Sequence, residues 1–323
     1  MARPFDPLSV RELLEDRRSG ASEIERAVRS ALRAAAAEAG TAAQVALREA
    51  TDVVVTRFPV MAALLRLLDE AWTAWLSEGK EGLARAMTEG EDSTRVTAVG
   101  RRLAELGEGR RRILTLSRSG SVLGALVDLA QRSDRAGARA DGQAAVPLPE
   151  VLVGEGRPEG EGVTMAGAVG RLGYRATVVV DAALPALAAG APAPAAVGWA
   201  AHETMVLLGC DAVGPGGFVN KVGSYGLARA AVRAGVPVLV IAASRKLLPF
   251  DPPLPCERGV SAGEEIERLR FDFERVPLEA LTWCLVEDGA LDPAALRARI
   301  ASLPALDGEL WNRLLRARRG DAT

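Results

Sequence analysis

The segment from Ile113 to Gln131, ILTLSRSGSVLGALVDLAQ, carries three consecutive signals of an α/β fold. The apolar run at 113–116 is typical of a buried strand, and the residues from Val122 onward follow the period of a helix. Serine and glycine dominate the five residues between them, and both favour a turn. The segment therefore predicts one strand–turn–helix unit.

The same pattern is repeated toward the carboxyl terminus. Four further apolar runs are strand candidates: 151–153, 176–180, 205–208 and 238–241. Helical patterns separate most of these strands, at 122–131, 163–172 and 226–234. Strands that alternate with helices predict a parallel sheet with helices on both faces. Residues 132–146 are rich in Arg, Asp, Ala and Gly, and we predict a surface loop there.

The first hundred residues show apolar stripes at helical spacing instead. Such stripes run from Ile24 to Ala35, from Met61 to Trp75 and from Val96 to Leu106. Amphipathic helices of this kind usually form a packed core. The sequence therefore predicts an α/β protein with a helical N-terminal domain over residues 1–108. A Rossmann-like parallel-sheet domain is expected to follow over residues 109–323.

Composition excludes several classes of protein. The net charge is −2, and no basic stretch is interleaved with aromatic residues, so no nucleic-acid partner is expected. No apolar run reaches membrane-spanning length and no signal peptide is visible, so we predict a cytoplasmic protein without a membrane partner. The three cysteines lack metal-ligand spacing and His202 is the single histidine, so neither a metal site nor a cofactor is expected.

Ligands of parallel α/β sheets bind beyond the carboxyl ends of the strands. The first strand is followed by Ser117, Arg118, Ser119 and Gly120, and then by a helix. Small residues leave backbone amides open at a helix amino terminus, which favours a phosphate, and Arg118 could add a charged hydrogen bond. A plain turn capped by serine is the alternative.

Two further strand ends carry polar residues. Glu155 and Arg157 follow the second strand, where they are candidates for holding a polar ligand or each other. A flexible acidic loop is the alternative, because glycine and proline mark loops. Asp181 follows the third strand, and a lone aspartate there is more often a helix cap than a catalyst.

The block from Gly209 to Tyr225, GCDAVGPGGFVNKVGSY, follows the fourth strand. It places Asp211 at the edge of the sheet, then a tight turn at 214–217, then Asn220 and Lys221 before a helix. Lys221 would pair with phosphate, Asn220 would fix a hydroxyl group, and Asp211 would transfer protons, because burial raises a carboxyl pKa. The block thus predicts the floor of a phosphosugar pocket, although a structural Asp211–Lys221 salt bridge is the alternative.

These motifs resemble those of the translation initiation factor 2B alpha, beta and delta family. The family's Gly-Ala-Asp, Asn-Lys and Gly-Thr-Tyr motifs resemble Gly209–Asp211, Asn220-Lys221 and Gly223–Tyr225, and its Glu-Ser-Arg-Pro resembles Glu155–Pro158. The resemblance runs from near residue 16 to about residue 300. It implies a phosphorylated-sugar ligand and a homodimer or larger homo-oligomer.

Family members differ in function. Methylthioribose-1-phosphate and ribose-1,5-bisphosphate isomerases convert a cyclic aldose 1-phosphate into an open ketose 1-phosphate, whereas the regulatory subunits are not isomerases. The resemblance implies catalytic positions at Asp211 and Ser117. Substrate contacts are implied for a larger set: Gly20, Ala21, Arg118, Ser119, Gly120, Arg157, Asn220 and Lys221.

Ser117 departs from the isomerases, which have a cysteine at this position. A serine hydroxyl titrates far above a thiol, so it is a poor proton donor to a ring oxygen. The sequence therefore leaves two functions open. One is an aldose–ketose isomerase acting on a pentose 1-phosphate, and the other is a non-catalytic phosphosugar-sensing or assembly subunit.

Overall fold

The computed structural model describes residues 21–38, 41–89, 96–139, 147–190, 200–260, 267–306 and 308–319. The chain divides into two compact units, Met1–Ser93 with Leu303–Thr323, and Thr94–Ser302. The described residues of the first unit are helical, and those of the second form a mostly parallel sheet with helices. The predicted fold class is therefore confirmed.

The helical unit has a core of aliphatic side chains. Its helices are α1 (Ala21–Ala37), α2 (Ala42–Arg57), α3 (Ala62–Glu89) and α10 (Gly308–Arg319). Trp72 on α3 is buried, and its indole N–H donates a hydrogen bond of 2.9 Å to Thr51 Oγ1 on α2. Arg313 on α10 pairs with Asp52, which ties the end of the chain to α2.

Helix α4 (Val96–Leu106) packs in the second unit. Its buried Val99 and Leu103 share a core with Val122 and Leu126 of the following helix. The two compact units therefore meet at residues 93 and 94, whereas the sequence predicted a domain boundary at residue 108. Helix α10, near the carboxyl terminus, belongs to the first unit. The physical reason is that an amphipathic stripe predicts burial without specifying the partner.

Seven strands of the described chain form the main sheet. They are β1 (Arg112–Leu116), β2 (Glu150–Gly154), β3 (Ala176–Val179), β4 (Thr204–Gly209), β7 (Val238–Ile241), β11 (Trp283–Val286) and β12 (Gly289–Leu291). Their order is β12-β11-β7-β4-β1-β2-β3, and every pairing is parallel except that of β11 with β12. The five predicted strands are confirmed, while β11 and β12 were not anticipated.

Five helices accompany the strands of this unit in the described ranges. They are α5 (Gly120–Arg139), α6 (Glu161–Arg171), α7 (Ala183–Ala188), α8 (Ser224–Arg233) and α9 (Pro293–Ala301). No helix in the described part of the chain is long and apolar enough to cross a membrane.

The predicted surface loop at 132–146 is wrong over its first half. Helix α5 continues to Arg139, whereas residues 140–146 lie outside the described ranges. Alanine and arginine are good helix formers, and Arg132 Nε donates to Asp128 Oδ2 at 2.6 Å across one helical turn. Local helix propensity therefore outweighed the loop-like composition.

Two small antiparallel sheets complete the second unit in the described chain. One contains β5 (Ala212–Gly214), β6 (Gly217–Lys221) and β10 (Phe273–Val276), and the other contains β8 (Glu257–Val260) and β9 (Glu267–Arg270). Gly214 pairs with Gly217 across a hairpin turn, as predicted for 214–217. The end of β6 carries Asn220 and Lys221 directly into α8.

The order of the strands creates one special edge. From β1 the sheet extends through β2 and β3 on one side and through β4 and β7 on the other. Connections that leave in opposite directions open a crevice at the carboxyl ends of the two central strands. The residues that follow β1 and β4 therefore flank this crevice.

Candidate functional site

The loop after β1 lies against the end of β4. A Cβ on residue 209 would stand 2.2 Å from Ser119 Oγ, so a larger residue there would displace the Ser119 side chain. Ser119 Oγ also accepts a hydrogen bond of 3.3 Å from the backbone N–H of Val122 in the first turn of α5. Ser119 and Gly120 thus lie where α5 begins at the crevice.

Ser117 occupies a restricted position at the end of β1. Its φ is +62°, a left-handed conformation that few residues other than glycine adopt, and the residue is only 7% exposed. A Cβ on residue 156 would stand 3.0 Å from Ser117 Oγ and 2.9 Å from Glu161 Oε2. The serine hydroxyl and the Glu161 carboxylate therefore both approach the Cα of Gly156.

Asp181 holds the loop that follows β2. Its carboxylate accepts hydrogen bonds from the backbone N–H groups of Gly156, at 2.9 Å, and Arg157, at 2.8 Å. It therefore fixes a neighbouring loop, a role different from the helix cap expected for it. The Arg157 side chain is 68% exposed, and its Nε lies 4.0 Å from Glu155 Oε1.

Asp211 lies just beyond β4, where its backbone N–H donates to Val219 O at 2.8 Å. Burial raises the pKa of its carboxyl group, and the ammonium groups of Lys246 and Lys221 oppose that rise. Lys246 Nζ donates to the carbonyl oxygen of Cys210 at 2.6 Å, which fixes a positive charge beside Asp211. The site therefore favours a proton on a carboxyl group that would otherwise ionise readily.

Lys221 is 8% exposed, and its ammonium group donates to Glu161 Oε1 at 3.0 Å. The second oxygen, Glu161 Oε2, is buried and has no hydrogen-bond partner among the described residues. The ammonium thus meets a carboxylate that sequence reasoning did not include. The ammonium groups of Lys221 and Lys246 both interact electrostatically with the Asp211 carboxyl group, and both lower its pKa.

The turn from β6 into α8 is closed by its own side chains. Asn220 Nδ2 donates to Ser224 Oγ at 2.8 Å, and Ser224 Oγ donates to the carbonyl oxygen of Lys221 at 2.7 Å. The carboxylate of Glu274 accepts from the backbone N–H groups of Gly223, at 2.8 Å, and Tyr225, at 2.6 Å. The amino terminus of α8 is therefore occupied by an internal anion.

The cysteines offer no obvious replacement for a thiol at position 117. Burial raises the pKa of Cys210 to about 12 and raises that of Cys284 as well, so both thiols stay protonated at neutral pH. Cys256 is exposed in the segment before β8. In the described ranges, no group of three His, Cys, Asp or Glu side chains could hold a metal ion.

The crevice brings most of the expected site residues into one region of the second unit. At or beyond the carboxyl ends of its strands lie Ser117, Arg118, Ser119, Gly120, Arg157, Asp211, Asn220 and Lys221. Gly20 lies outside the described residues, and Ala21 is the first residue of α1 in the other unit.

Sequence reasoning missed three charged residues near this region, namely Glu161, Lys246 and Glu274. Glu161 lies in the first turn of α6, in a glycine-rich segment that also follows a strand, and this position was a usable signal. Glu274 and Lys246 gave no such signal, because the contacts that make them relevant join segments distant in sequence.

A parallel sheet with a Ser/Gly loop, a buried lysine and an aspartate at its switch point defines a Rossmann-like α/β protein with a polar crevice. Residues 17–293 match the initiation factor 2 subunit family, and the chain belongs to that family. No curated protein matches the chain by sequence.

Solved structures of family members have the same fold. The translation initiation factor eIF-2B of Pyrococcus horikoshii OT3 is 22% identical, with a TM-score of 0.68 over 88% of this chain and 95% of that chain. The 5-methylthioribose 1-phosphate isomerase of the same organism is 18% identical, with a TM-score of 0.62 over 95% and 87%. The delta subunit of eIF-2B from A. fulgidus is 20% identical, with a TM-score of 0.56 over 90% and 91%.

Proposed function

We propose that the chain binds a phosphorylated sugar in the β1/β4 crevice and interconverts the aldose and ketose forms of a pentose 1-phosphate. The observation that carries this proposal is the position of Asp211 just beyond β4, beside Lys246, where burial raises the pKa of its carboxyl group. A general acid or base works best when its pKa lies near the operating pH, and burial moves a carboxyl group in that direction. Asp211 is therefore the proposed proton-transfer residue.

The proposed position of the phosphate is the loop from Ser117 to Gly120. Helix α5 begins there, and its first backbone N–H groups favour an anion. Arg118 stands in the same loop with an exposed side chain and can add a charged hydrogen bond. Arg157, Asn220 and Lys221 are proposed to contact the hydroxyl-bearing part of the sugar.

Turnover is tested by incubating the protein with ribose 1,5-bisphosphate or methylthioribose 1-phosphate and following the ketose by NMR. We expect a ketose signal from the parent protein. Asp211→Asn should lower kcat by a factor of about 10²–10⁴, the usual contribution of a general acid or base. The absence of ketose with both sugars would contradict the proposed reaction.

A second candidate, a phosphosugar-binding subunit without turnover, is favoured by Ser117. The hydroxyl group cannot replace an acidic thiol, and burial keeps the thiols of Cys210 and Cys284 protonated. This alternative predicts binding by titration calorimetry without any ketose. Turnover that Asp211→Asn abolishes would rule it out.

We also propose that the protein forms a homodimer or a larger homo-oligomer. The solved structures similar to this chain include the tetrameric eIF2B-beta2-delta2 complex of C. thermophilum, at 16% identity and a TM-score of 0.58. Family membership supports this proposal. A measurement of the native mass by light scattering tests it.

A further inference from the structure

The two carboxylate oxygens of Glu161 differ in their contacts. Oε1 accepts a hydrogen bond from the ammonium group of Lys221 at 3.0 Å, whereas Oε2 is buried and has no hydrogen-bond partner among the described residues. A buried acceptor without a donor is costly and uncommon in folded proteins, so its presence points to a role in binding or catalysis. The lone pairs of Oε2 are free to accept a proton.

The hydroxyl group of Ser117 lies near this oxygen. A Cβ on residue 156 would stand 2.9 Å from Glu161 Oε2 and 3.0 Å from Ser117 Oγ, so the carboxylate and the hydroxyl group approach one point in space. Gly156 leaves that point empty, because glycine has no side chain. A serine hydroxyl group both donates and accepts hydrogen bonds, so it can take up one proton while it releases another. Ser117 is therefore suited to pass a proton to Glu161.

The backbone of Ser117 supports a functional role for this hydroxyl group. Ser117 is the one non-glycine residue of the described chain with a positive φ, at +62°. Such a conformation costs free energy and is found mostly at functional sites. The backbone N–H of Ser117 also donates to Gly154 O at 3.2 Å, which holds the residue at the crevice end of β1 and beside the loop that carries Gly156.

Lys221 links Glu161 to the proposed proton-transfer residue Asp211. Burial raises the pKa of Asp211, and the ammonium groups of Lys246 and Lys221 oppose that rise. The same ammonium group of Lys221 contacts Glu161 at hydrogen-bond distance. Two carboxyl groups near one lysine thus have contrasting environments, one that favours the protonated form and one with a cation in direct contact. Such a contrast is the usual arrangement of an acid and a base in one active site.

We propose that Glu161 is the proton acceptor of the crevice and that the Ser117 hydroxyl group relays a proton of the sugar to it. This proposal rests on the proposed isomerase function and assigns the base that the reaction needs in addition to Asp211. In this relay the sugar contacts Ser117, and Glu161 acts through Ser117.

The relay balances without a further reactant. The bond between C1 and the ring oxygen breaks, its electron pair stays on the oxygen, and Asp211 protonates that oxygen. The hydrogen on C2 moves to C1 with its electron pair, so C1 is reduced and C2 is oxidised. The C2 hydroxyl group becomes a carbonyl group as its proton passes to Ser117 Oγ and the proton of Ser117 passes to Glu161 Oε2. Return of a proton from Glu161 to Asp211 completes the cycle.

The pH profile of kcat tests the relay, with ketose formation followed by NMR on the same two sugars. A base must be ionised, so kcat of the parent should fall toward acid pH as the acceptor carboxylate becomes protonated. Glu161→Gln should lower kcat by about 10²-fold, change KM by less than about threefold and remove this acidic limb. Glu161→Asp keeps a carboxylate and should retain the limb.

A double variant separates a relay from two independent contributions. Residues that act as one unit give losses that do not multiply. Ser117→Ala should lower kcat about as much as Glu161→Gln, and the double variant should lose no more than about threefold beyond either single variant. Glu159→Gln is the matched control, because Glu159 is a carboxylate of the same loop that pairs with Arg270. Its kcat should stay within about twofold of the parent value, as for a surface substitution away from the chemistry.

The outcomes distinguish the relay from the proposed function. A parent that forms ketose but whose kcat does not fall toward acid pH overturns the relay, even if neither variant folds. Full activity of Glu161→Gln overturns it as well, and so do losses that multiply in the double variant. In each of these cases the isomerase function stands. A parent that forms no ketose at any pH overturns both.

Discussion

At the scale of single residues, the chemistry depends on how the fold treats Asp211. An exposed aspartate would be ionised at neutral pH, but burial beyond the end of β4 makes ionisation unfavourable. Lys246 and Lys221 offset part of this cost without cancelling it. The raised pKa that the proposed proton transfer needs thus comes from the position of Asp211, which its residue type alone does not determine.

The raised pKa of Asp211 also predicts how stability changes with pH. The folded state holds this proton more tightly than the unfolded chain, where the ordinary value is 3.8. The free energy of unfolding that this group contributes therefore falls as pH rises from 3.8 through the raised pKa of the folded state. Above the raised pKa this contribution no longer changes with pH. Asp211→Asn does not titrate, so its free energy of unfolding should increase relative to the parent over this window.

Urea unfolding of parent and variant at several pH values between 5 and 8 measures this difference. In thermal unfolding, a change of 1 kcal/mol in the free energy of unfolding would shift the melting temperature of a unit of this size by about 2–4 °C. Asp288→Asn, at an exposed position, provides the control for the loss of a carboxylate group as such. A difference for Asp211→Asn that falls with rising pH would contradict the assigned direction of the shift.

Ser117→Cys should raise isomerase activity. A thiol with an ordinary pKa of about 8.5 donates protons far better than a hydroxyl group, and the variant restores the residue found in the isomerases. We expect kcat to rise by about tenfold or more, the lower range of general acid–base contributions. Cys256→Ser should leave the parent rate unchanged, and a loss of rate there would instead identify Cys256 as the source of the thiol.

At the scale of elements, the start of α6 is fixed by close contact between two glycines. A Cβ on residue 162 would stand 1.8 Å from the carbonyl oxygen of Gly154, so α6 can pack on β2 only with glycine there. This contact places Glu161, the preceding residue, beside Gly156 and within reach of Lys221. The geometry of the ion pair thus depends on a neighbouring residue that takes no part in it.

Gly162→Ala should therefore lower the free energy of unfolding by about 1–3 kcal/mol, because backbone must move to remove the overlap. Gly170→Ala, on the same helix, is the matched control, since a Cβ there has no atom within 4 Å. Alanine in an open helical position should stabilise by about 0.5–1 kcal/mol. Denaturant unfolding measures both changes, and equal effects of the two variants would show that the contact with Gly154 is unimportant.

At the scale of the whole molecule, strand order decides where the site forms. Ser117 and Asp211 are 94 positions apart in the sequence, yet they follow β1 and β4, which pair in parallel. The chain reaches β4 after passing through β2 and β3, and that reversal of direction opens the crevice. The family relationship extends over most of the chain, so the strand order that forms this crevice belongs to the fold as a whole.

Light scattering after size-exclusion chromatography should give a native mass at least twice the 33.9 kDa of one chain. Oligomers of this kind usually have closed symmetry, so the mass should stay at one integer multiple over a range of concentrations. A mass of one chain at all concentrations would contradict the proposed homo-oligomer.

The sequence by itself determined the fold class and the central strands. Short apolar runs alternating with helical patterns specify a parallel sheet, and Ser/Gly or Asp residues after those runs mark its functional edge. The candidate site residues near β1, β4 and β6 could be named because each lies within a few residues of a strand end. Glu161 shared this signal and was missed.

Only the tertiary structure decided the electrostatics of the crevice. The contacts of Lys221 with Glu161, of Lys246 with Cys210 and of Glu274 with the start of α8 join segments between 36 and 60 positions apart. Neither periodicity nor composition reports such contacts, because both describe neighbours along the chain. Pocket charge and the protonation of Asp211 depend on burial and on distances between side chains, which exist only once the chain has folded.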